Sequence, residues 1–345
     1  MDLTAGAGRP ARGRASRRAT AVRLALTALV IALTAALAVA ERGTVASGVR
    51  SLARADPGWV AVAVAANLAT FLAALAVQYG SMRAVPRPGR LLGVQLALCG
   101  VGLVPGAGGT VYVRFLRKQG LGAGEIVGAF LLMGLAGGIV RAGYLLALLP
   151  AAPAEWRRSA ARWRDWRPPG AGDRLGAWTG PAALLAGLAL LAAGAALMYW
   201  LARRNGAARL RTMSWTARER ARTDVRAVRD VAAHPGRAAC LWLGVAALTP
   251  LNALVLYAML HGLGVGLGYG TTVAVYVLLI TLAALVPAPN GVGSTEVVMT
   301  AGLVLGGVPA GPALGAALGY RLLTFWTLLP PGVAAFAWLS RRRAV

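Results

Sequence analysis

A chain of 345 residues that is 58% hydrophobic and only 14% charged, with a mean hydropathy of +0.63, excludes an ordinary soluble domain, because nearly every segment would have to be a buried helix. Several apolar runs of roughly 17–25 residues are long enough to cross a ~30 Å hydrocarbon core, so the composition predicts an all-α polytopic membrane protein. The net charge of +25, from 36 basic and 11 acidic residues, points away from nucleic acid: the arginines stand between and beside apolar spans, where they set topology and meet anionic lipid.

In chain order, the arm 1–20 carries Arg9, Arg12, Arg14, Arg17 and Arg18. The apolar run 24–40 behind it is longer than the core of a signal peptide, and Glu41-Arg42 follows in place of a small-residue cleavage site. It is read as a retained first span. Further crossings are expected at 58–79, 125–149, 180–201, 238–260 and 313–338, about six in all. The chain thus divides into a basic arm (1–20), a single transmembrane domain (21–340) and a basic tail (341–345). Cys99 and Cys240 fall inside apolar runs and read as small hydrophobes.

Two apolar stretches, 91–113 and 271–307, are interrupted at their centres. The first reads Leu103-Val104-Pro105-Gly106-Ala107-Gly108-Gly109, with Arg114 behind it; the second reads Leu285-Val286-Pro287-Ala288-Pro289-Asn290-Gly291-Val292-Gly293, with Glu296 behind it. Unwound backbone at membrane depth survives only inside protein or beside a wet cavity. Paired broken segments in the two halves of a polytopic chain are therefore a pointer to a substrate site.

Charge assigns the sides. Arg83, Arg87 and Arg90, the ten arginines of segment 202–237 and the tail Arg341-Arg342-Arg343 all belong with the arm in the cytoplasm. The first break then enters from the cytoplasm and the second from outside, as two oppositely facing re-entrant hairpins with both termini cytoplasmic. Residues 155–174, with six arginines and Trp156, Trp163 and Trp166, fall on the external side and fit an amphipathic helix in the headgroup layer. An inverted repeat is suggested by Ala123-Gly124-x-x-x-Gly128-Ala129, which recurs as Ala310-Gly311-x-x-x-Gly315-Ala316 after the second break.

Charges at membrane depth are costly and point to function. Glu296 opens the helix leaving the second break, where it either serves a substrate or faces water as a first-turn carboxylate favoured by the helix dipole. Arg321, inside the last crossing, is placed to pair with Glu296, to hold an anionic headgroup, or to snorkel. Arg114 is the corresponding cation at the first break, and Arg141, late in 125–149, is either functional or snorkelling. Asn290, Gly291 and Gly293 supply a turn that tolerates positive φ; helix starts near Gly109 and Gly293 could offer N–H groups to phosphate. His234 and His261 are expected at opposite faces. There is no HExxH, GxSxG or Walker loop, and no cofactor or metal is implied.

At these motifs the chain resembles the lysylphosphatidylglycerol synthase transmembrane region, the flippase-like (YbhN-like) family. The resemblance rests on the Pro105-Gly106 segment followed by Tyr112-Val113-Arg114-Phe115-Leu116-Arg117. It rests more firmly on Pro287-x-Pro289-Asn290-Gly291-Val292-Gly293-x-x-Glu296 and on Tyr320-Arg321-Leu322-Leu323-Thr324-Phe325-Trp326. These are similar to the family's PxPGGxGxxE and YRxxTxW patterns, with Asn290 where the family often has Gly. An Arg-Leu-x-Asp-like element often found after the first break is missing from 125–140. The resemblance covers about 20–340 and implies an integral membrane protein of the cell membrane. In such proteins lipids are moved between leaflets and any aminoacyl transfer belongs to a separate soluble domain, which is not expected in the sequence up to Val345.

The leading expectation is a lipid translocase or transporter, not an enzyme. An anionic or zwitterionic phospholipid headgroup would enter a polar cavity between the hairpins and contact Glu296, Arg321 and Tyr320, with Arg114 from the other side. The alternative is a non-transporting scaffold for an enzyme of envelope-lipid or glycan assembly, docked through 202–237. An intramembrane lipid enzyme would have Glu296 as a lone base.

Overall fold

The computed structural model describes residues 42–82, 87–102, 107–148, 234–284 and 291–341. The expected spans 24–40 and 180–201, the arm 1–20, the Trp/Arg segment 155–174, nearly all of 202–237 and the end of the tail lie outside the described residues, as do Pro105, Gly106, Pro287, Pro289 and Asn290. Within the described residues the regular structure is entirely helical, and four stretches are long and apolar enough to cross a membrane. The protein is an all-α polytopic membrane protein.

A short helix not foreseen from the sequence, α1 (Arg42–Ala53), comes first. The crossing α2 (Pro57–Ser81) follows, started by Asp56, whose Oδ1 accepts from the Gly58 and Trp59 amides at 2.7 and 3.4 Å. This satisfies two of the orphan donors of a helix N-terminus. The first interrupted stretch forms α3 (Pro88–Gly100) and α4 (Ala107–Lys118), the second α7 (Tyr269–Ala284) and α8 (Ser294–Leu305). At 12 to 16 residues each spans roughly 18–24 Å and falls short of the ~30 Å hydrocarbon core. Between the breaks lie the crossings α5 (Ala123–Leu148) and α6 (Pro235–Gly262).

The last apolar stretch is not one uninterrupted helix as expected. It divides into α9 (Ala310–Thr324) and α10 (Leu329–Arg341), joined by a 3₁₀ turn at Trp326–Leu328, with Phe325 outside the helical region at φ −133°, ψ −60°. Pro330 and Pro331 explain the interruption: neither can donate to the carbonyls of Trp326 and Thr327, and proline is tolerated only in a helix's first turn.

Helices α2 and α6 make the most extensive pairing; α5 packs against α7, and α10 against α3. Gly100 and Gly332 bring the α3 and α10 backbones together so closely that a Cβ on either would strike the other's main chain. The largest apolar core joins α2, α6, α7, α8 and α9, and a second joins α3, α4 and α10. The order crossing, short helix, short helix, crossing therefore occurs twice. The recurring Ala-Gly-x-x-x-Gly-Ala motif opens the last member each time, at Ala123 of α5 and Ala310 of α9.

Candidate functional site

The second break is built by glycine. Gly291 and Gly293 adopt φ of +70° and +83°, conformations open to glycine at little cost, and they turn the chain into α8. Glu296, in the first turn of α8, folds back so that its Oε2 accepts from the Gly293 N–H at 2.9 Å. Its other oxygen, Oε1, accepts from Nε of Arg321 at 3.0 Å. Arg321 is buried, 7% exposed, in the last turn of α9, and its guanidinium lies 4.7 Å from the centre of the Phe325 ring. The acid thus sits at the positive end of one helix dipole and the base at the negative end of another, so each charge compensates a helix end as well as its partner.

Arg321 is pinned by its neighbourhood and does not snorkel. Asn67 of α2 donates from Nδ2 to the Leu323 carbonyl at 3.0 Å, which is left without a helical donor where α9 stops. Next to Arg321, the buried Tyr320 donates to Oδ1 of Asn252 on α6 at 3.1 Å, and its hydroxyl is 3.2 Å from that of Tyr276 on α7. Asn252 in turn donates to the Leu248 carbonyl at 2.8 Å. Polar side chains from α2, α6, α7, α8 and α9 therefore converge in an otherwise apolar core.

Of the residues singled out from the sequence, Glu296, Arg321, Tyr320, Gly291 and Gly293 come together. Arg114 does not join them. It is exposed on α4, a helix packed on α3 and α5, while its neighbours Tyr112, Phe115 and Leu116 turn inward. Gly108 and Gly109 lie in the first turn of α4, away from the pair. The N–H at Gly293 is taken by Glu296. Asn67, Asn252 and Tyr276 were missed; the signal available was a polar atom within an apolar helical run.

Chemically, Glu296 has one oxygen held by a backbone amide and the other by a guanidinium, an arrangement that fixes its geometry. His234 and His261 stand at opposite ends of α6, and His261 stacks on Tyr257 at 4.0 Å and Trp59 at 4.9 Å between ring centres. Among the described residues no group of His, Cys, Asp and Glu could hold a metal ion.

Comparison with curated proteins finds no match. The family described as the lysylphosphatidylglycerol synthase TM region matches residues 20–332, a stretch that contains both breaks, the Glu296–Arg321 pair and the described crossings up to the start of α10. The chain belongs to the lysylphosphatidylglycerol synthase TM region family.

Proposed function

We propose that this protein moves an anionic or zwitterionic phospholipid headgroup across the bilayer, as a translocase of the cell membrane with both termini in the cytoplasm and without aminoacyl-transfer chemistry of its own. The observation that carries the reading is the part-buried Glu296–Arg321 pair held where a glycine turn and a helix end meet. A guanidinium's planar fork suits a phosphodiester, and an arriving headgroup would compete with Glu296 for Arg321 while its acyl chains stay in lipid. Tyr320, Tyr276 and Asn252 supply hydroxyl and amide partners for the uncharged part of the headgroup. The two broken segments, opposed in orientation, would give access from the two leaflets in turn.

The test is exchange of a labelled phosphatidylglycerol between leaflets of reconstituted vesicles. The protein should accelerate it well above protein-free vesicles, and a rate equal to theirs would contradict the proposal. In that event, loss of an envelope-lipid activity in cells on neutralising the arginines of 202–237 would favour the scaffold, with a lipid- or glycan-modifying enzyme as its partner.

A further inference from the structure

A threonine inside a helix ordinarily turns its hydroxyl back to the carbonyl four residues earlier. Thr70, Thr272, Thr281 and Thr324 all do so, at 2.9, 3.0, 2.6 and 2.8 Å. Thr300 is the exception. Its Oγ1 is buried, yet among the described residues it bonds to no carbonyl and to no other group. A buried hydroxyl without a bond is unfavourable in apolar surroundings, so this donor is held in a state that a ligand would relieve.

The place of Thr300 says which ligand. It is the seventh of the twelve residues of α8, one turn beyond Glu296 and about 6 Å further along the axis. Residues four apart lie on one strip of a helix, so Thr300 shares the strip whose first member holds Arg321 of α9. The next members, Leu303 and Val304, pack on the main core. After Thr300 the helix has no polar side chain. Its hydroxyl is therefore the last polar side-chain atom of α8 on the way from the glycine turn into the core.

We propose that Thr300 is a second contact for the headgroup at the Glu296–Arg321 site, its hydroxyl donating to a phosphate oxygen while the guanidinium of Arg321 holds the same phosphate. The proposal rests on the translocase reading for its ligand and names a further group that recognises it. The charged oxygens of a phosphodiester have more lone pairs than one guanidinium fork fills, and a neutral donor one helical turn away suits what remains. Engaging the Thr300 hydroxyl breaks no bond within the protein. A phosphodiester and a free phosphate present the same oxygens, so both are offered to the protein.

The experiment is titration of the purified protein with phosphatidylglycerol, read by native mass spectrometry on the wild type, Thr300→Val and Thr300→Ser. Diacylglycerol serves as the lipid without phosphate, and inorganic phosphate as the anion without chains. Thr300→Val keeps the shape and removes the hydroxyl. It should weaken phosphatidylglycerol retention roughly tenfold, the loss of one hydrogen bond to a charged group, and leave diacylglycerol retention unchanged. Its melting temperature without added lipid should equal or exceed that of the wild type, because the fold loses no bond. Thr300→Ser should retain the lipid as the wild type does. Inorganic phosphate that displaces the lipid from the wild type, and binds Thr300→Val roughly tenfold more weakly, would support the contact with a soluble anion as its ligand. Equal phosphatidylglycerol retention in the wild type and Thr300→Val would overturn it, as would a wild type that retains diacylglycerol equally well. A lowered melting temperature in Thr300→Val would place the hydroxyl's partner within the protein, and so would also overturn it. Leaflet exchange on the same proteins separates the two claims. Weakened retention in Thr300→Val, with a wild type that exchanges no lipid, removes the transport and leaves the contact. Wild-type exchange and retention in Thr300→Val remove the contact and leave the transport.

Discussion

Glu296 spends one oxygen on the turn that begins α8 and the other on Arg321, so a single side chain fixes both the shape of the second break and its distance from α9. Removing one partner of a buried pair leaves an uncompensated charge, at a cost of roughly 3–5 kcal/mol. Arg321→Ala is therefore expected to destabilise the protein strongly. Glu296→Gln combined with Arg321→Gln, which leaves two amides able to bond each other, should cost less than the sum of the two single changes. Unfolding in mixed micelles reads this as a coupling on the order of 1–3 kcal/mol; strictly additive losses would show that the two side chains do not depend on each other. At this scale the sequence was legible where charge stands out against an apolar background, as at Glu296 and Arg321. Tyr276 and Asn252 were not legible, because a tyrosine in an apolar run looks like packing and its hydroxyl finds meaning only from Tyr320, 44 residues away. Arg114 misled for a related reason: proximity to a break in the chain says nothing about which way a helix presents its side chains.

Among the elements, α6 shows how a defect in a helix is absorbed. Pro250 lies inside it and cannot donate to the Ala246 carbonyl four residues back. Tyr144 of α5 supplies the missing bond at 2.9 Å, and Tyr269 donates to the Pro250 carbonyl at 2.7 Å. Tyr144→Phe should cost about 1 kcal/mol in the wild type and nearly nothing in a Pro250→Ala background, where the helix supplies its own donor. Equal losses in both backgrounds would mean that the tyrosine does not serve the proline. The meeting of α3 and α10 invites a second measurement. Gly332→Ala places a methyl against the Gly100 main chain, and overpacking of this kind costs roughly 1–3 kcal/mol. A fall in thermal stability of the detergent-purified protein is expected, and an unchanged melting curve would count against this close approach. The broken helices around 91–113 and 271–307 were legible from Pro and Gly in apolar runs. The break at Phe325 was signalled just as clearly by Pro330-Pro331, but an apolar stretch of crossing length drew attention away from the two missing N–H groups. Helix α1 gave little warning, being short and without the length that marks a span.

On the scale of the whole molecule, composition alone carried the fold class, because a chain this apolar has no other stable solution in helices. A repeat was suggested more by the order of features than by shared letters; among the described residues that order recurs, while the packing differs, since α5 lies on α7 but α10, not the corresponding α9, makes the extensive contact on α3. The two halves are not equivalent in chemistry. The second carries the acid and the guanidinium, and the first presents Arg114 on an exposed face, so the transport proposal places headgroup recognition in the second half.

The central claim is that a headgroup crosses by way of the Glu296–Arg321 site. Leaflet exchange of phosphatidylglycerol by the Glu296→Gln/Arg321→Gln protein tests it most directly, because that variant keeps a hydrogen-bonded pair and removes both charges. The account predicts a monodisperse, folded protein whose vesicles exchange lipid no faster than protein-free ones. Exchange at the wild-type rate would contradict it.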